Sequence, residues 1–190
     1  MAYKLALAMN RSRLIPTLGL AALALSACAP TLGPPPPGRR APPPAASGPA
    51  NFSAADFAWS QAPGRNGIQG TLTYRNGAGG YTCAGSGVVL TPETPWSRRR
   101  MNVLYGSTER AALPAEEVRR RTPSAPAGDA GPFVKRTTCD ATSRFSFQGL
   151  PNGAWYVITI ARPAAQPQGG TIALMRRVVT RGGRVTQVTL

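Results

Sequence analysis

Histidine is absent from the 190 residues of this chain. With it go serine–histidine and cysteine–histidine nucleophile pairs and every metal site that needs imidazole. Acid is scarce too, with seven Asp and Glu against 22 Lys and Arg. Glu116 and Glu117 are adjacent in sequence, project in different directions, and cannot flank a glycosidic bond as an acid–base pair. Beyond Lys4 the sole lysine is Lys135, which leaves one weak candidate for a serine–lysine couple, in a basic strand. Cys83-Ala84-Gly85-Ser86-Gly87 lacks the spacing of a Gly-x-Ser-x-Gly nucleophile elbow. The three cysteines show no Cys-x-x-Cys pattern, so a thioredoxin-like redox pair is unsupported. These absences lead us to expect a protein that is not an enzyme and takes no cofactor or metal.

Long apolar runs are also lacking, apart from one near the start. Lys4, Arg11 and Arg13 precede a mostly apolar stretch from Leu14 to Leu25, which ends in Ser26 and Ala27. Basic flank, apolar centre and small residues in that order make a secretory signal peptide. The stretch falls short of the roughly 20 residues a spanning helix needs, and Pro16 sits near its start. Leu25-Ser26-Ala27-Cys28 resembles the bacterial lipobox, whose cysteine is lipidated and becomes the mature N-terminus; a plain cleaved signal or an uncut anchor is the alternative. Lipidation requires a nucleophilic thiolate, which only cysteine supplies well, and two or more acyl chains give stable anchoring. The resemblance extends to sorting: as in enteric lipoproteins, Ala29 instead of Asp after the cysteine implies the outer membrane, with the domain facing the periplasm.

Setting Cys28 aside leaves Cys83 and Cys139. In an oxidising envelope compartment an even remainder reads as a disulfide, with two buried thiols as the alternative. Residues 28–50 then form a linker: Pro30 to Ala50 holds nine prolines, among them Pro34 to Pro37 and Pro42 to Pro44. Such a segment buries no apolar stripe and favours extended polyproline conformations, reaching on the order of 65 Å at about 3.1 Å per residue.

The expected organisation is therefore a signal peptide over 1–27, a lipidated cysteine and Pro-rich linker over 28–50, and one domain over 51–190. Within that domain Ile68, Gly70, Leu72 and Tyr74 alternate with polar residues, as do Phe145 and Phe147. Val88 to Leu90, Phe133 to Thr137, Trp155 to Ile160, Ile172 to Val179 and Val185 to Leu190 bring the total to about seven strands. Asn-Gly pairs at Asn66, Asn76 and Asn152, and Gly182-Gly183, supply turn chemistry. The pattern predicts an all-β fold, an antiparallel β-sandwich with a short helical insertion. Thr94-Pro95 opens a helix that Gly106 closes, with Met101, Leu104 and Tyr105 on one face. A second helix is expected from Pro114 to Arg121, with Glu116–Arg120 and Glu117–Arg121 spaced for i,i+4 pairs.

The stretches "GIQGTLTYRNG", "GVVLTP" and "CDATSRFSFQGLPNGAWYVITIA" resemble the carboxypeptidase regulatory-like domain, a transthyretin-like β-sandwich. The residues that carry the likeness are Gly70, Val88 to Leu90, Asp140, Phe145, Phe147, Gly149, Leu150, Pro151, Gly153, Tyr156 and Val157. Ser143 stands where that family usually has glycine, and Pro92 to Gly131 is a long insertion. The resemblance implies fold but no activity; hydroxyisourate hydrolases, which share the transthyretin-like fold, depend on histidines missing here. If Cys83 and Cys139 are joined, the bridge is expected to sit at the base of the insertion and confine it to one end of the sandwich.

Charge is the remaining clue. Leaving Lys4, Arg11 and Arg13 out of the 22 basic residues leaves 19 against seven acidic, a net charge of +12. The clusters at Arg98, Arg99 and Arg100, and at Arg119, Arg120 and Arg121, together with Arg176-Arg177, Arg181 and Arg184, suit phosphate and carboxylate oxygens. The first two clusters are the candidates for binding an anionic surface; a basic composition without any ligand is the alternative. Compartment and the lack of interleaved aromatics argue against nucleic acid. The expectation is a non-catalytic, lipid-anchored envelope protein. Its partners would be the membrane, through the lipid, and an anionic envelope polymer or envelope protein; the alternative is an inhibitor or modulator of an envelope hydrolase.

Overall fold

The computed structural model describes residues 51–77, 79–166 and 168–190. The expected signal peptide, Cys28 and the linker lie outside the described residues. Among the described residues there are ten strands: β1 Asn66–Thr71, β2 Arg75–Asn76, β3 Gly79–Thr82, β4 Gly87–Pro92, β5 Arg110–Pro114, β6 Lys135–Thr138, β7 Arg144–Leu150, β8 Gly153–Pro163, β9 Ile172–Thr180 and β10 Val185–Thr189. Two α-helices, α1 Pro95–Tyr105 and α2 Ala115–Arg121, fall between β4 and β6. Seven of the strands coincide with the alternating segments of the sequence. The short β2–β3 hairpin and β5 have too few apolar residues to show a period.

The strands form two sheets. A small sheet has the order β10-β1-β7, and the larger one runs β5-β9-β8-β4-β6, with β3 continuing the β4 edge along β8. Pairing is antiparallel except that β1 and β10, the first and last strands, run parallel from Gly67↔Val185 to Thr71↔Thr189. Between the sheets lies the main core. Ile68, Phe145, Phe147 and Val188 from the small sheet meet Val88, Leu90, Trp155, Val157, Leu174 and Val178 from the large one. Gly70 has a steric reason: a Cβ there would come within 1.9 Å of the Phe145 ring. Burying a side chain of this size stabilises the fold by roughly 1.5–3 kcal/mol.

The insertion makes a third layer. Met101, Leu104 and Tyr105 of α1 and Ala115 of α2 pack with Tyr156, Ala173 and Met175 on the outer face of the large sheet, and β5 joins that sheet through β9. Helix α1 starts as expected, with a capping box between Thr94 and Ser97 and Pro95 in its first turn. It stops at Gly106 in the left-handed region, φ 68°. The insertion is therefore packed over a sheet face and is not confined to a loop at one end of the sandwich: it carries its own apolar stripe and its own strand, which together bury a face that would otherwise be wet.

Cys83 and Cys139 are bridged, with Cα atoms 5.7 Å apart. The expected position is corrected, however. Residues 87–90 of β4 pair with 135–138 of β6, so the base of the insertion is held by that ladder, and the disulfide closes the opposite end of the pair. Asn66 is likewise not a turn residue. Buried at the start of β1, it donates Nδ2 to the Leu150 carbonyl and accepts at Oδ1 from the Gly183 amide, tying three strand ends together.

Candidate functional site

Two sheets imply two outer faces, and they differ in cover. The outer face of the large sheet lies under the helices. That of the small sheet carries no layer among the described residues. Strand alternation sends Phe145, Phe147, Ile68 and Val188 inward and leaves a polar array outward. Register places Ser146, Gln69 and Gln187 side by side across the three strands, and Arg144, Thr71 and Thr189 as the next rung. Gln187 Nε2 donates to Gln69 Oε1 at 2.9 Å. That bond leaves the Gln69 amide its N–H donors and the Gln187 amide its oxygen, so donor and acceptor face outward together.

Thr137, Thr138 and Asp140 flank this array, and the whole forms an open depression of about 570 Å³. Asp140 is committed to its own loop. Its Oδ1 accepts from the amides of Thr142 and Arg144, at 2.8 and 2.9 Å, and from the Thr142 hydroxyl. The Arg144 amide and the Thr142 hydroxyl hold its pKa below the ordinary carboxylate value. Beside the loop Arg144 is exposed and belongs to no ion pair among the described residues. The array therefore offers neutral hydrogen-bonding groups, with the exposed Arg144 guanidinium and the Asp140 carboxylate, which interact electrostatically, at its edge.

The six arginines singled out from sequence are not equivalent. Arg98 donates to Glu93 at 2.7 Å, which raises its pKa. Arg100 is half-buried, with its guanidinium 5.5 Å from the Trp96 ring centroid and Nη1 on the Pro126 carbonyl. Arg119 pairs with Glu116 at 3.3 Å, three residues away, and this replaces the expected Glu116–Arg120 pair. Arg121 pairs with Glu117 and also caps the Leu104 carbonyl. Arg99 and Arg120 remain exposed and outside every ion pair among the described residues. Neither triplet is a continuous cluster of free charge.

Glu93 is the hub of the insertion. Its side chain is 13% exposed and accepts from Arg98, from Arg177 Nε at 2.6 Å and from the Tyr156 hydroxyl at 3.3 Å. Burial and the neighbouring Glu93 charge push the Tyr156 pKa up, while burial pushes that of Tyr105 up to about 12. Both phenols are protonated structural groups at neutral pH. Among the described residues no group of three or more acidic or cysteine side chains is arranged to hold a metal ion.

The fold is thus a three-layer β-sandwich, helices on one face and an open polar array on the other. No family model matches the chain, and no curated protein matches it. A crystal structure from Pseudomonas aeruginosa, of a protein provisionally described as carbohydrate-binding, is similar to it with a TM-score of 0.53. The two are 24% identical, over 73% of this chain and 96% of that one. At that identity the likeness establishes the sandwich and nothing finer.

Proposed function

We propose that the protein is a non-catalytic binding module of the carboxypeptidase regulatory-like class. In this reading it is tethered to the outer membrane by lipid on Cys28, stands off on its Pro-rich linker, faces the periplasm, and binds a glycan that carries acidic groups. The observation that carries the proposal is the uncovered array of Gln69, Thr71, Ser146 and Gln187 with Arg144 at its edge. Amides and hydroxyls in register suit sugar hydroxyls, and an exposed guanidinium outside any direct ion pair suits a carboxylate. Carbohydrate binding ascribed to the P. aeruginosa protein supports the same reading, as does the net charge of +12 beyond Arg13.

The test uses the full-length protein on beads bearing either a polyuronate or neutral dextran. Retention is expected on the polyuronate, falling as salt rises and weakened about tenfold or more by combined Gln69→Ala and Arg144→Ala, since one charge-assisted hydrogen bond suffices for that loss. In cells that express the protein, Cys28→Ala is expected to release it from the membrane fraction. Equal retention on both beads, or an unaffected double variant, overturns the glycan site; membrane retention of Cys28→Ala overturns the anchor.

A further inference from the structure

Arg176 and Arg177 are adjacent in β9 and face opposite sides of the large sheet. Arg177 goes to the helix side, where Glu93 takes it at 2.6 Å and Glu109 lies 4.0 Å away. Arg176 goes to the other side, and its Cα partner across the β5–β9 ladder is Arg110. Two guanidinium residues facing each other on paired strands repel. Among the described residues neither belongs to an ion pair, and the one side-chain bond of the two is from Arg176 Nη1 to the Thr189 carbonyl at 3.1 Å.

The pair borders an open cleft of about 380 Å³ between the β5 end of the large sheet and the last residues of the chain. Apart from the two arginines its walls are chiefly apolar, with Ala112, Leu174, Leu190 and Tyr74. A cleft of that size is within the range that takes small molecules. Arg99, Arg120 and Arg144 also lie outside every ion pair among the described residues, but each of those stands alone; what sets this pair apart is that two guanidinium residues face each other beside an apolar wall, a charge arrangement that an incoming anion would complete.

We infer that this cleft is a second binding site, distinct from the sheet face, for an amphipathic anion: a carboxylate or phosphate head on a short hydrocarbon body. The head bridges Arg110 and Arg176 and relieves their repulsion, each guanidinium offering parallel N–H donors to two oxygens. The hydrocarbon lies against Ala112, Leu174 and Leu190. A fatty acid and a phosphate monoester of a lipid share this chemistry.

The experiment reads the rate at which a guanidinium-selective dicarbonyl reagent labels each arginine, by peptide mass spectrometry, on the full chain in phosphatidylcholine vesicles. Octanoate and octyl phosphate are the probes; octyl glucoside and inorganic phosphate are the controls. At a probe concentration roughly ten times its Kd, labelling of Arg110 and Arg176 is expected to slow about tenfold, with Arg99 and Arg120 unchanged. The head that protects at lower concentration identifies the source as carboxylate or phosphate. Arg110→Ala removes one of two facing like charges, so its Tm should not fall, and Arg176 should lose its protection. The inference is overturned by equal slowing at all four arginines, by absence of protection, by protection from either control at matching concentration, or by full protection of Arg176 in Arg110→Ala.

Discussion

Ser143 has φ 60°, and it is the one residue other than glycine with positive φ among the described residues. The backbone there is left-handed, a region that costs a residue with a Cβ roughly 1–2 kcal/mol. What offsets that cost is the hydroxyl, 2.7 Å from Thr82 Oγ1 and accepting from the Cys83 amide at 3.2 Å. Ser143→Ala keeps the Cβ and deserts a buried amide, so a loss of about 2 kcal/mol is expected in urea unfolding. Ser143→Gly deserts the same amide but frees the backbone, and should lose about 1 kcal/mol less. An alanine variant as stable as wild type would show that the hydroxyl contributes nothing. From sequence Ser143 was no more than a departure from the glycine usual in the family it resembles; its positive φ and its partners, some 60 residues away, left no local trace. Asn66-Gly67 misled for a similar reason, since an Asn-Gly pair signals a turn only where its side chain has no distant strand ends to bind.

At the scale of elements, the helical layer is held by apolar contacts and, among its carboxylates, most closely by Glu93. Glu93 follows β4 directly and binds Arg98 of α1 and Arg177 of β9. The two arms differ in exposure, Arg98 at 50% and Arg177 at 27%, and an exposed pair is worth little. A double-mutant cycle should therefore give Glu93 and Arg177 a coupling of about 1–2 kcal/mol, and Glu93 and Arg98 only about 0.5 kcal/mol. Equal couplings would mean that water screens both arms alike. Helix α1 was legible because its signals are local: a cap, a proline, an apolar face and a closing glycine within a dozen residues. Strand β5 was not, because Arg110-Ala111-Ala112-Leu113-Pro114 has little strand character of its own and forms where the β9 edge offers a ladder. The candidate sites were hidden for the same reason. A count of arginines does not tell which face Arg176 and Arg177 take, nor that Glu93 serves one and leaves the other.

For the molecule as a whole, the disulfide and the topology set stability and the order of assembly. Cys83 and Cys139 are buried and 56 residues apart, and closing a loop of that length restricts the unfolded chain by about 4 kcal/mol in the chain-entropy model. Reduction of the full-length protein should lower Tm by on the order of ten degrees, read by circular dichroism with and without reductant. An unchanged Tm after complete reduction would transfer that stability to the sheets alone. The parallel contact of β1 with β10 has a further consequence. The central strand of the small sheet is among the earliest parts of the domain to be synthesised, and one of its two neighbours is the last, with Leu190 bonded back to Thr71 and Thr73. A ribosome delivers residue 66 well before residue 185, so β1 must wait with one edge bare until β10 has been made. Such long-range pairing slows folding, and it keeps the small sheet from closing for as long as residues 185–189 are still to come.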